Sequence, residues 1–295
     1  MENVLKINNL SKNYGNIRAV ENVSFEVKKG EVYGILGPNG SGKTTTLAVI
    51  LGILQANNGS FQWFDEPFTK DVRKRIGALV ETPNFYPYLS LWENLQIVAR
   101  IKEAPDEDIN YALGVANLLK RKHTNFGHLS LGMKQRMSIA SVLIGNPEVL
   151  VLDEPTNGLD PEGFAEVRKV IQDQAKEGKT IILASHILDE VEKVCSHVAI
   201  LKSGELIANG KVGELLSSDE TVFIQADKLS KLKELIEDSD LATSVYMVDE
   251  DLAVVLKSIY KSADLSKFCY EKGYPLSKIV VKKQSLEDQF LQLVK

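Results

Sequence analysis

Residues 37–44 read Gly-Pro-Asn-Gly-Ser-Gly-Lys-Thr and match the pattern G-x-x-x-x-G-K-[ST]. The apolar run Val32–Leu36 predicts a buried strand before them, and a helix is predicted after them, from Lys43 to about Leu54. Glycines allow the backbone of such a loop to fold tightly enough for consecutive N–H groups to point inward, and the helix adds its positive end. The sequence therefore predicts a loop that holds phosphate groups between a strand and a helix.

The residues of this loop have separate expected roles toward a nucleotide. Lys43 is expected to reach the β- and γ-phosphates as a point charge, and the Thr44 hydroxyl to ligate Mg²⁺. The other expected contacts come from the rest of the loop and the first turn of the helix, namely Gly37, Pro38, Asn39, Gly40, Ser41, Gly42 and Thr45. The loop by itself predicts ATP or GTP without choosing between them.

Two adjacent carboxylates, Asp153 and Glu154, end the apolar run Leu150–Leu152. Asp153 can hold Mg²⁺, usually through water, because Mg²⁺ keeps part of its hydration shell. Glu154 can orient and deprotonate a water that attacks the γ-phosphate. An acidic pair at the end of a strand is, on its own, more often a polar rim. Beside a phosphate-binding loop, the same pair predicts nucleotide hydrolysis.

Strands and helices alternate along most of the chain, which predicts an α/β fold with a parallel sheet covered by helices. Residues 82–147 are helical in pattern, with a capping box at Ser90 and Glu93, so we expect a helical insertion in a first domain of residues 1–216. After the polar break Ser217–Glu220, residues 221–295 follow the order βαββαβ. That order predicts a ferredoxin-like second domain, with a last helix over Leu286–Leu293.

The order of these motifs resembles the nucleotide-binding subunit of an ABC transporter, and the resemblance covers essentially the whole chain. It implies a P-loop NTPase fold, with a RecA-like parallel sheet, an antiparallel β part and the helical insertion. Tyr14 lies where the family stacks an aromatic ring on adenine, although alone it could be a surface aromatic in a turn. The pair Ser185-His186 matches the switch histidine, so the resemblance gives His186, Glu154 and Lys43 catalytic roles.

Leu129-Ser130-Leu131-Gly132-Met133 resembles the family signature L-S-G-G-Q and stands directly before a predicted helix. In the family this motif completes the ATP site of the opposite subunit, so the resemblance implies that Ser130 and Gly132 meet the γ-phosphate bound by a partner. Ser130 would also serve as a helix N-cap. Leu159 and Asp160 match the D-loop. The implied assembly is a head-to-tail homodimer bound to separate membrane-spanning permease subunits.

Glu81 departs from the family pattern, in which a glutamine usually follows the strand that here ends Ala78-Leu79-Val80. The resemblance gives this position contact with Mg²⁺, and a carboxylate there would hold the ion more tightly. An acidic residue at this position resembles ABC-2-type exporters of the bacitracin-resistance and lantibiotic-immunity kind. Four other segments are similar to the same group, namely residues 85–88, 92–95, 130–136 and 285–291. The implied cargo is a peptide antibiotic, drug or lipid.

The charge and hydropathy of the chain narrow the classes of function that remain. The net charge is −5 and is evenly shared, without the basic excess typical of nucleic-acid binders, so no nucleic-acid partner is expected. The best apolar run, Leu47–Leu54, has eight residues, whereas a spanning helix needs roughly 20. The chain begins without a leader-like segment. We therefore expect a cytoplasmic protein, held at the inner face of the membrane by its permease.

Two alternatives remain open from the sequence. One is a soluble cassette ATPase that acts on the ribosome or on DNA, although such relatives typically carry two cassettes or long coiled-coil insertions, and neither pattern is present. The other is a binding module that does not hydrolyse ATP, which the intact set of Lys43, Asp153, Glu154 and His186 disfavours. Cys195 and Cys269 lack metal-like spacing and are expected to be buried, apolar side chains.

Overall fold

The computed structural model describes residues 2–80, 85–215, 220–257 and 259–283. The chain divides into two compact units, and the division falls between Lys211 and Val212. The predicted helix Leu286–Leu293, most of the polar break Ser217–Glu220 and the predicted Mg²⁺ ligand Glu81 lie outside the described residues.

The first unit contains strands and helices in alternation. The strands are β1 (Asn3–Tyr14), β2 (Ile17–Lys28), β3 (Val32–Leu36), β4 (Asn58–Trp63), β5 (Ile76–Leu79), β6 (Val149–Asp153), β7 (Thr180–Ser185), β8 (His197–Lys202) and β9 (Glu205–Lys211). The helices are α1 (Lys43–Ile50), α2 (Lys70–Lys74), α3 (Leu91–Lys102), α4 (Glu107–Val115), α5 (Leu131–Leu143), α6 (Pro161–Lys176) and α7 (Leu188–Val194).

A central sheet carries the unit, with strand order β5-β6-β7-β3-β8-β9. Its neighbouring strands run parallel from β5 to β8, and β9 pairs antiparallel with β8. Strands β3, β6 and β7 are buried over their whole length, as expected where helices cover both faces of a parallel sheet. A second, antiparallel sheet has the order β2-β1-β4. This arrangement confirms the predicted fold class.

One hydrophobic core joins the two sheets around helix α1. Trp63, the last residue of β4, is fully buried in it, and its indole Nε1 donates a hydrogen bond of 2.7 Å to the carbonyl oxygen of Ile50, the last residue of α1. A buried indole N–H needs such a partner, because an unpaired donor would lose the free energy of its hydration. The end of α1 is therefore fixed against the antiparallel sheet.

The helical insertion lies between β5 and β6 and contains α3, α4 and α5. Ser90 caps α3 by accepting from the Glu93 amide at 3.2 Å, and the Glu93 carboxylate accepts in return from the Ser90 N–H and hydroxyl, which confirms the predicted capping box. These hydrogen bonds lower the pKa of Glu93. Residues 60–80 have a pattern of short strands, but in the structure the short helix α2 lies between β4 and β5.

The second unit contains α8 (Val212–Leu215), β10 (Glu220–Ala226), α9 (Leu229–Glu237), β11 (Ala242–Val248), β12 (Asp251–Leu256), α10 (Ser262–Glu271) and β13 (Leu276–Lys283). Its four strands are antiparallel in the order β11-β12-β10-β13, a split βαβ arrangement. Helices α9 and α10 pack on one face of the sheet, where Leu232, Ile236, Leu265 and Cys269 join the core. Burial raises the pKa of the Cys269 thiol to about 11.

None of the helices in the described part of the chain has the length and apolar character that crossing a bilayer requires.

Candidate functional site

The site lies at the carboxyl ends of three adjacent strands, β6, β7 and β3. The parallel register places Asp153 beside Ala184 and Leu36 beside Ser185, so the residues that follow these strands emerge at one edge of the sheet. Ligands of parallel sheets bind at this edge. The topology therefore brings together the phosphate loop, the acidic pair and His186, which lie far apart in sequence.

The phosphate loop folds so tightly that two of its glycines leave no room for a side chain. A Cβ atom at Gly37 would lie 2.3 Å from the Leu201 carbonyl oxygen and 2.4 Å from the Ser41 hydroxyl. A Cβ atom at Gly42 would lie 2.4 Å from the carbonyl oxygen of Ala19, and Gly42 has the left-handed φ of 103°. Both contacts are far inside van der Waals distance, so the backbone of neighbouring strands shapes this loop.

Lys43 starts helix α1 and is buried at the centre of the loop. Its Nζ atom donates to the carbonyl oxygens of Gly37, at 2.8 Å, and Pro38, at 3.2 Å. It also lies 3.4 Å from Oε1 of Glu154. The lysine therefore bridges the phosphate loop and the acidic pair with a buried positive charge.

Glu154 contacts both of the other predicted catalytic residues. Its Oε2 atom lies 2.8 Å from Nδ1 of His186, while Oε1 faces Lys43. Its backbone has a left-handed φ of 47°, and its N–H donates to the carbonyl oxygen of Ala184 on β7. A non-glycine residue in this region of φ is uncommon and is found where the surroundings hold it. The side chain of Glu154 therefore turns away from the direction of β6 and is held by Lys43 and His186.

Mg²⁺ fits the donor groups at this edge. Asp153 is buried at the end of β6, and Thr44 is the second residue of α1, with an exposed side chain. No cluster of three or more His, Cys, Asp or Glu able to hold a metal occurs among the described residues. A carboxylate and a hydroxyl, completed by phosphate oxygens and water, are the set that Mg²⁺ takes at nucleotide sites. Ser41 adds a buried hydroxyl oxygen that lacks a hydrogen-bond partner among the described residues.

Most of the other predicted contact residues are exposed to solvent. Pro38, Asn39 and Gly40 at its tip are exposed, and Thr45 is half-buried. Tyr14 ends β1 with 46% of its surface exposed, and the ammonium group of Lys12 lies 5.6 Å from the ring centroid. A ring this exposed offers a face on which an adenine can stack.

The signature motif and the D-loop form one continuous surface. Ser130 caps α5 by accepting from the Met133 amide at 3.3 Å, and Asp160 caps α6 by accepting from the Gly163 amide at 2.9 Å. A Cβ atom at Gly132 would lie 4.0 Å from Leu159. A cavity of about 430 Å³ lies between the two motifs, and both capping residues line it. Two helix N-termini with exposed capping side chains therefore face the same side.

Arg136 joins these two helices and was not singled out by the sequence patterns. It lies on α5, is buried, and its Nε atom is 3.2 Å from a carboxylate oxygen of Glu166 on α6. Its Nη1 donates to the carbonyl oxygen of Ala116 at 2.9 Å, so it also holds the end of α4. The available sequence signal was an arginine within an otherwise apolar face of α5.

Lys102 holds the other end of the signature helix. Its Nζ donates to the carbonyl oxygens of Val142 and Ile144, at 3.1 and 2.9 Å, at the carboxyl end of α5. Burial lowers the pKa of Lys102 to about 8. A cation here satisfies carbonyl groups that the helix itself leaves unpaired.

Known proteins resemble the chain in both sequence and structure. The model of the ABC transporter family matches residues 20–157. The chain is 37% identical to the bacitracin transport ATP-binding protein BcrA of Bacillus licheniformis, over all of this chain and 98% of that protein. It is 39% identical to the lantibiotic transport ATP-binding protein SrtF of Streptococcus pyogenes, over 69% of this chain and 89% of that protein.

Among solved structures, the chain is similar to the dimeric structure of MJ0796, a bacterial ABC transporter cassette. The TM-score is 0.62 at 27% sequence identity, and the match covers 70% of this chain and 98% of that one. The match to BcrA extends through the second unit, whereas those to SrtF and to the cassette span about the length of the first.

Proposed function

The chain belongs to the ABC transporter family as an ATP-binding subunit, and on this premise we propose that two copies share their ATP sites and drive a separate membrane-spanning exporter. The observation that carries the proposal is the position of Glu154, which contacts Lys43 of the phosphate loop and His186 of the next strand. A carboxylate so placed beside a phosphate loop suits the activation of an attacking water.

In the proposed reaction, ATP changes the partners of Lys43. In the structure the Nζ atom of Lys43 faces two loop carbonyls and Glu154, and in the proposed reaction the phosphates of ATP would replace them as acceptors. Glu154 would then keep its contact with His186 and turn its other oxygen to the water. His186 would orient the carboxylate and stabilise charge on the γ-phosphate. Hydrolysis is thereby linked to the arrival of the nucleotide.

For the metal, we propose Thr44 and Asp153 as ligands, with Glu81 as a further one. When bound, Mg²⁺ neutralises part of the charge on the phosphates. Tyr14 would stack on the adenine. This contact is with the base and not with the phosphates, and it would favour ATP over GTP.

For the assembly, we propose that two copies face each other head to tail. Ser130 and Gly132, at the N-terminus of α5, would then meet the γ-phosphate on the second copy, and Asp160 of the D-loop would lie at the same junction. The exposure of the signature residues supports this head-to-tail arrangement, because no described group of the same copy covers them. A nucleic-acid partner is not part of the proposal.

For the cargo, we propose a peptide antibiotic exported from the inner face of the cell membrane. The proposal comes from relatives whose names give bacitracin transport and lantibiotic transport. The alternative of a soluble ATPase acting on the ribosome or on DNA gains no support from these relatives.

Co-expression tests the cargo. A sensitive host that makes this chain together with its permease subunit should survive several-fold more bacitracin than the host alone. The inactive variant Glu154→Gln, co-expressed in the same way, should give no protection. Equal sensitivity of all three strains, with both proteins present in the membrane fraction, would contradict a bacitracin-type cargo. The same three strains tested with a lantibiotic provide the second arm of the experiment.

Glu81→Gln should raise the Mg²⁺ concentration that gives half-maximal ATPase activity by several-fold, because a neutral amide holds the ion more weakly than a carboxylate. ATP binding without Mg²⁺ should change little. Titration of ATPase activity with Mg²⁺ measures the first effect, and equilibrium binding of a fluorescent ATP analogue in chelator measures the second. Glu107→Gln, an exposed glutamate of α4, is the control. An unchanged Mg²⁺ titration would remove Glu81 from the metal site.

A further inference from the structure

The sheet of the second unit ends in strand β11, whose seven residues, Ala242–Val248, include no charged side chain. Its regular pairing with β12 runs from Ser244 to Val248, and no strand in the described part of the chain pairs with its other side. Three of its residues are large, apolar and exposed, namely Tyr246, Met247 and Val248. An exposed, uncharged edge strand presents unpaired N–H and C=O groups and is a template for another strand.

The opposite edge of the same sheet is built differently. Strand β13 carries Lys278, whose Nζ atom pairs with Asp251 at 2.8 Å. Lysines on an edge strand discourage pairing with a further strand, because each added pair would bring charges together. Among the described side chains, β13 has one charged residue and β11 has none, so the two edges of the sheet differ in charge, although β13 also exposes Ile279, Val280 and Val281.

Tyr246 stands in a row of side chains on the face of the sheet opposite the helices. It is paired with Ala253, which is paired with Phe223, which is paired in turn with Val280 on the far edge. Tyr246 and Val280 thus occupy equivalent positions on the two edges, with 45% and 40% of their surfaces exposed. This symmetry supplies a matched pair of positions for an experiment.

We propose that β11 pairs antiparallel with β11 of a second copy about a twofold axis at Tyr246, which makes one eight-stranded sheet from two four-stranded ones. The inference rests on the proposed head-to-tail dimer only for the presence of the second copy. In this register Tyr246 faces Tyr246 of the second copy, Val245 faces Met247, and Ser244 faces Val248.

The self-complementary register argues for a second copy as the occupant. Every facing pair is uncharged, so no like charges meet, and the two tyrosines form an aromatic cross-strand pair. Five residues of pairing bury far less than the roughly 1,200 Å² of a stable interface, so β11 would not hold two copies together alone. Two copies already joined at their ATP sites raise the local concentration of each edge for the other to about the millimolar range.

The first test measures the dimer of the Glu154→Gln chain in saturating ATP by sedimentation velocity. Adding Tyr246→Lys should raise its dissociation constant by about tenfold, since two lysines would then face each other across the new pair. Adding Val280→Lys at the matched position should leave the constant unchanged. Circular dichroism and the melting temperature confirm that both variants are folded. Equal constants for the two variants would overturn the proposal.

The second test uses disulfide formation in the same ATP-loaded dimer. Tyr246→Cys should cross-link two copies under mild oxidation, because Cβ atoms of facing residues in an antiparallel pair lie within reach of a disulfide. Val280→Cys should not cross-link, and the native cysteines are buried. A dimer that forms in ATP without cross-linking at position 246 refutes the pairing of β11. A chain that forms no dimer in ATP refutes instead the proposed shared site.

Discussion

Glu154→Gln is expected to slow ATP hydrolysis by a factor of about 10²–10⁴ while ATP still binds. The amide keeps the size of the side chain and can still hydrogen-bond to His186, which is 2.8 Å from Oε2. It cannot take a proton from water. It also removes the charge that Lys43 faces at 3.4 Å, which frees the lysine for the phosphates. Binding should therefore be equal or tighter, and only the chemical step should fail.

Phosphate release in steady state and in a single turnover measures the loss. The variant should in addition accumulate as an ATP-bound dimer, seen as a doubled mass in size-exclusion chromatography with light scattering. Glu205→Gln, an exposed glutamate of β9, serves as the control and should hydrolyse ATP at the normal rate. Normal hydrolysis by Glu154→Gln would assign the general base to another group.

Mixing two inactive variants should restore activity if each ATP site is shared. Lys43→Ala removes the cation of the phosphate loop, and Gly132→Asp places a negative charge where the signature would meet a phosphate. Each variant alone should lose at least about a hundredfold in rate. In an equal mixture half of the dimers contain both variants, and each of these has one intact site, so about a quarter of the normal activity should return.

The control for this experiment is Gly132→Ala. A Cβ atom at Gly132 would lie 4.0 Å from Leu159, an ordinary contact, so the alanine variant should fold and retain most of its activity. Its activity would show that charge, and not volume, causes the loss in the aspartate variant. A mixture no more active than its components, with exchange of subunits demonstrated by mass, would contradict the head-to-tail arrangement.

Local signals in the sequence predicted much of the fold. The capping box at Ser90 and Glu93 predicted the start of α3, and Ser90 is its N-cap. The helix after the phosphate loop was expected to reach Leu54 but ends at Ile50, where the Trp63 indole takes up a carbonyl. Strand β9 was not predicted, because its residues are mostly half-exposed and its place in the sheet comes from pairing with β8.

The site was less accessible from sequence than the fold. Motifs indicated Lys43, Glu154 and His186, and the structure places these three in contact. Arg136 and Glu166 were missed because an ion pair between two helices depends on how those helices pack, which no local pattern encodes. The roles of Ser130, Gly132 and Tyr14 stay predictions, since each needs a ligand or a second copy to act on.

The hydrogen bond between Trp63 and Ile50 has an optical consequence. The chain has two tryptophans, and Trp63 is the fully buried one, whereas Trp92 is only partly buried. The Trp63 indole is hydrogen-bonded to the last residue of the helix that begins at Lys43. A nucleotide that moves the start of this helix would therefore alter the polarity around the indole. The protein thus carries an intrinsic fluorophore whose emission can follow ATP entry in a stopped-flow instrument without any label, once Trp92→Phe has removed the second signal.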